Sequence, residues 1–180
     1  MDYLDRLRQR LRNMPLLPPP PPWRKVADIT VGGLTEVGFG DGTDLLLVVT
    51  HSGRGVFDGL TGERLARDYD DPDPEWYDPD RLTARGVGPL AGALVRLAGL
   101  HGGGLPRVTP DGWKVELAYP DWPRGMVVME PLGRSVYDER RAADCRKVAD
   151  IDLPRGYGFS PTGRVLVVAQ GHGFLLLARD

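Results

Sequence analysis

The sequence predicts a mainly β protein: repeated antiparallel hairpin units forming a curved sheet or a small propeller-like assembly, with one packed helix near residues 89–100 and a short N-terminal helix. Three observations carry this reading. Turn formers are abundant, with 24 glycines and 17 prolines among 180 residues, which favours many turns over long helices. The hexapeptide RKVADI occurs twice, at Arg24–Ile29 and Arg146–Ile151. A turn followed by an apolar, β-branched run recurs at Gly40–Val49, Thr109–Ala118 and Ser160–Ala169. Internal repeats of this kind bear directly on fold class.

The chain divides into an N-terminal arm, residues 1–22, and a single β-rich domain, residues 23–180. In the arm, Leu4, Leu7, Leu11 and Met14 recur at helical spacing over residues 1–14. Asp2 and Asp5 precede Arg6, Arg8, Arg10 and Arg12, an order that suits the helix dipole. Pro15 ends the helix, and Pro18–Pro22 form an extended polyproline II stretch. Such an arm packs back on its own domain or docks on a partner, and the sequence leaves both open.

Each hairpin unit has a second strand, at Gly55–Asp58, Met126–Glu130 and Phe174–Leu177, reached through the turns HSGRG, YPDWPRG and QGHG. Gly38-Phe39 in the first unit matches Gly158-Phe159 in the third. Outer strands are expected at Leu60–Asp68 and Leu132–Glu139, while the third unit reaches the end of the sequence without one. The two RKVADI copies place the first and third units in similar surroundings and would bring the two ends of the domain together. The segments Gly158–Asp180 and Gly38–Asp68 resemble β-propeller blades of the WD-repeat kind. The resemblance implies a local strand order and no function, since such blades host many unrelated roles.

An insertion at about 70–105 interrupts the units. Its first part, DDPDPEWYDPD, is an acidic, proline-rich loop. Its second part, PLAGALVRLAGL, is predicted as a buried helix over 89–100, with Leu90, Leu94 and Leu97 in the core.

Composition excludes several functional classes. A net charge of -2 with scattered basic residues gives no nucleic-acid footprint. The longest apolar stretch, Leu90–Leu100, is too short to span a bilayer and contains Arg96. The first residues are charged throughout and lack the apolar segment of a secretory leader. The single cysteine, Cys145, has no partner for an internal disulfide. A cytoplasmic location is expected, with no membrane and no nucleic acid among the partners.

No cofactor is expected, because phosphate loop, dinucleotide and Cys-x-x-Cys signatures are absent. His101-Gly102-Gly103-Gly104 has the form of an esterase oxyanion loop. None of the serines, Ser52, Ser135 and Ser160, sits in a nucleophile-elbow context, so a helix end followed by a turn is the simpler account. His51, His101 and His172 are the weak candidates for a metal site, and they lack ligand spacing. His51 and His172 occupy corresponding hairpin turns, expected at one rim of the sheet.

The favoured function is a non-enzymatic protein-binding module: an adaptor, a scaffold, or an inhibitor of the immunity type. Its candidate binding residues are Trp76 and Tyr77 with Asp71, Asp73 and Asp78 in the acidic loop, and Trp122 in a proline-flanked turn, expected to pack on the polyproline segment. Aromatic anchors ringed by charge are what interfaces favour, and the acidic loop suits a basic partner. The alternative is a hydrolase or metal-dependent enzyme assembled from distant loops, with the three histidines as first suspects.

Overall fold

In a computed structural model, which describes residues 2–180, the chain forms one helix and fifteen strands. In chain order these are α1 (Tyr3–Arg12), β1 (Arg24–Thr30), β2 (Leu34–Phe39), β3 (Leu45–Thr50), β4 (Gly53–Asp58), β5 (Arg64–Asp68), β6 (Tyr77–Asp78), β7 (Thr83–Arg85), β8 (Leu94–Arg96), β9 (Ala98–Gly99), β10 (Lys114–Asp121), β11 (Arg124–Glu130), β12 (Arg146–Ile151), β13 (Pro154–Phe159), β14 (Val165–Gln170) and β15 (Gly173–Ala178). The fold is mainly β, as the repeat pattern predicts. No described helix is long and apolar enough to cross a membrane.

The strands form four antiparallel sheets. Sheet I is β10-β11-β12, sheet II is β1-β15-β14-β13, sheet III is β5-β4-β3-β2-β9, and sheet IV is β6-β7-β8. Alternation along the strands explains how they stack, because successive side chains point to opposite faces. Leu166 and Val168 pack with Val115, Val127 and Met129 of sheet I, whereas Val165 and Val167 pack with Leu46 and Val48 of sheet III. Leu47 and Val49, on the other face of sheet III, pack with Ala84 and Val95 of sheet IV. The outer face of sheet I buries Met126 and Val128 against Leu11 of α1. The order is therefore α1, sheet I, sheet II, sheet III, sheet IV. Burying one such Val or Leu contributes roughly 1.5–3 kcal/mol.

Leu46, Val48, Val115, Leu117, Val165 and Val167 lie on comparable strands, β3, β10 and β14. The outer strands differ from expectation. Residues 132–139 form turns, and β12, the second RKVADI, takes the outer place beside β11. The first RKVADI, β1, takes the same place beside β15, so the third unit obtains its outer strand from the other end of the sequence.

The predicted helix over 89–100 does not form. Gly88–Leu90 makes one tight 3-10 turn, and β8 and β9 follow. Val95 and Leu97 are buried, whereas Leu94 is 60% exposed and Arg96 is exposed. That is a period of two, and a short run apolar on most helical faces can equally be read with that period.

The arm packs on its own domain. The Leu17 N–H donates to the Lys147 carbonyl at 3.1 Å on the free edge of β12. Trp23 is then buried against sheets I and II, with ring centroids 6.1 Å from Trp113 and 5.5 Å from Phe159.

Candidate functional site

The acidic loop folds onto sheet IV and its neighbours. Trp76 is only 6% exposed and packs with Leu47, Val56 and Leu90. Its indole N–H donates to the Asp71 carbonyl at 3.2 Å, and the Arg54 guanidinium lies 4.3 Å above its ring. This corrects the expectation of Trp76 as a waiting anchor, since the apolar ring is buried more favourably in its own core than in water. Asp73 and Asp78 cap local turns, accepting from the N–H groups of Glu75 at 2.8 Å and Arg81 at 3.0 Å. Asp71, Asp73, Glu75 and Asp80 remain exposed, so the loop keeps an acidic surface.

Trp122 behaves oppositely. It is 80% exposed at the tip joining β10 to β11, and its ring lies 5.2 Å from that of Tyr119. Its expected packing on the polyproline segment is replaced by this aromatic pair. Asp121 beside it accepts from Arg12 Nε at 2.9 Å and from Arg12 Nη2 at 2.5 Å, which ties the tip to α1. Arg124 and Asp150 border this tip and also a second depression that reaches Gln170 and His172. That depression continues into a groove of about 660 Å³ between β1 and β12, walled at one end by Leu16–Pro19 of the arm. The three depressions have Asp150 of β12 in common and adjoin along the edge of that strand.

His51 and His172 share a rim. The His51 N–H donates to the Gly33 carbonyl at 3.1 Å, and the His172 carbonyl accepts from the Val31 N–H at 2.9 Å, so both flank the β1–β2 turn. Among the described residues no three His, Cys, Asp or Glu side chains converge into a group able to hold a metal ion.

His101 belongs to a third place, which the sequence reading did not find. Glu36, in β2, is a carboxylate only 1% exposed. Its Oε1 lies 2.5 Å from His101 Nδ1 and accepts the Tyr77 hydroxyl at 3.0 Å. Its Oε2 is buried without a hydrogen-bond partner among the described residues. Burial, followed by the neighbouring Glu36 charge, pushes the Tyr77 hydroxyl far above its ordinary range, so it stays a donor. The His101 side chain is 45% exposed. A carboxylate accepts, which assigns the Nδ1 proton to the side facing Glu36 and leaves Nε2 as the other ring nitrogen. The available signal was Glu36 itself: a lone charge inside the strand LTEVGF, which is otherwise uncharged.

Comparison with known proteins finds no match among protein-family models, curated proteins or solved structures.

Proposed function

We propose that the chain is a protein-binding module whose partner docks at the Trp122 tip and along the edge of β12. The observation that carries this reading is the 80% exposure of Trp122 on a tip tied down by Arg12 and Asp121. A large ring held in place loses little conformational entropy on docking, and tryptophan is enriched among binding hot spots. The exposed acidic loop supports a basic partner by steering its approach. The serial sheets, with the N-terminal β1 completing the C-terminal sheet, support a propeller-like assembly, and the lone cysteine supports a cytoplasmic setting. The test is paired capture with wild-type protein and Trp122→Ala. A partner held by the wild type and by Tyr69→Ala, and lost with Trp122→Ala, supports the reading.

A second reading, a hydrolase, is favoured by one observation: the buried Glu36 carboxylate facing His101 Nδ1 at 2.5 Å.

A further inference from the structure

The geometry points to His101 as a general base for hydrolysis of a small carboxylic ester, with Glu36 and Tyr77 as its positioning residues. This rests on the second reading and is separate from partner binding, since Glu36 lies in sheet III and Trp122 at the tip between two strands of sheet I.

Burying a carboxylate is costly unless its interactions offset the lost hydration. Glu36 is buried with one oxygen lacking a hydrogen-bond partner and the other shared by Tyr77 and His101. A structural role for this position would be met more cheaply by an apolar side chain. The arrangement does accomplish one chemical task. It fixes the imidazole with Nδ1–H toward the carboxylate and stabilises the imidazolium formed when Nε2 takes a proton. The ring is partly exposed, so water reaches it. Gly103 and Gly104, two and three residues further along the same loop, line an open groove of about 480 Å³ with Asp41, Arg81, Leu94 and Arg96, and His101 stands outside its lining.

The step balances with water as the only co-reactant. His101 Nε2 takes one proton from water as the water oxygen bonds to the ester carbonyl carbon, and the carbonyl π pair moves to its oxygen. Collapse of the tetrahedral adduct breaks the bond to the alkoxy group, which recovers the proton from Nε2 and leaves as the alcohol. The other product is the carboxylic acid. Nothing is oxidised or reduced.

The experiment uses the full chain and 4-nitrophenyl acetate, with free imidazole as the reference. Wild type is expected to exceed imidazole. His101→Gln should lower kcat/KM roughly 100-fold or more, the range of general-base contributions. Glu36→Gln should lower it about 10–100-fold, as loss of an orienting partner does. Because Glu36→Gln can disturb folding, ¹⁵N spectra of wild-type imidazoles give an independent readout, with Nδ1 of His101 carrying a proton. Tyr69→Ala, at an exposed ring outside both sites, should hydrolyse the ester like wild type. A wild-type rate no greater than imidazole, a His101→Gln rate equal to wild type, or a bare Nδ1 would each overturn the inference.

Discussion

Val26 and Val148 are the same residue of the same hexapeptide, and each is where its strand bulges. The pairing of β1 with β15 shifts register between Lys25 and Ala27, and that of β12 with β11 shifts between Lys147 and Ala149. In both copies the Lys and Asp of RKVADI form an ion pair, Lys25–Asp28 at 3.0 Å and Lys147–Asp150 at 2.6 Å. The two copies of the hexapeptide therefore occupy corresponding positions. Each is the outer strand of its sheet, and both line the same groove.

The two Gly-Phe pairs of the repeat have a shared packing role. A Cβ on Gly38 would lie 2.1 Å from the Arg96 carbonyl oxygen, and one on Gly158 would lie 2.5 Å from Leu105 Cβ and 2.7 Å from the Pro106 carbonyl oxygen. Each glycine lets a crossing segment lie directly on its strand. Gly38→Ala and Gly158→Ala should each destabilise the protein by roughly 1–3 kcal/mol or more, the cost of overpacking. Urea unfolding measures this, and unchanged midpoints would contradict it.

Trp76→Ala should cost about 3–5 kcal/mol, the usual loss on truncating a core aromatic. The ring fills the space between sheets III and IV and supports the Arg54 guanidinium. Chemical denaturation is the measurement. A change below about 1 kcal/mol would return Trp76 to the surface.

Leu11→Ala tests whether the arm belongs to its own domain. Leu11 is buried against Met126 and Val128 of sheet I. Its truncation should lower stability by roughly 2–5 kcal/mol. An arm that waits for a partner would leave the melting temperature unchanged.

Cys145 should be slow to alkylate. Burial, then the neighbouring Glu130 charge, pushes its thiol up to about 11 from 9.0. A thiol raised in the folded state contributes stability that is present below its unfolded value and is lost as pH rises through the folded one. Between about pH 9 and 11, wild type should therefore lose stability that Cys145→Ala does not. At pH 8.5 iodoacetamide should react with the native thiol roughly 100-fold more slowly than in urea, following the thiolate fraction. Equal rates would refute this.

The β class, the three hairpin units and the N-terminal helix were legible because each follows from local periodicity and turn chemistry. The outer strands were not. Whether RKVADI pairs with the strand before or after it depends on contacts across the whole chain, from Arg24 to Ala178. Residues 89–100 were misread because a short apolar run fits both periods until its neighbours decide. Trp76 and Trp122 both sit beside prolines and aspartates in sequence, and only packing separates the buried ring from the exposed one. The Glu36–His101 pair joins residues 65 apart in sequence, a distance over which no motif operates.

The binding reading is tested most directly by placing a photo-reactive benzoylphenylalanine at position 122 and, separately, at position 69, then irradiating the protein with its captured partner. Both Trp122 and Tyr69 are largely exposed, so exposure alone does not distinguish them. The account predicts a covalent adduct from position 122, suppressed by excess unlabelled wild-type protein, and none from position 69. An adduct from position 69 alone, or equal labelling at both positions, would contradict it.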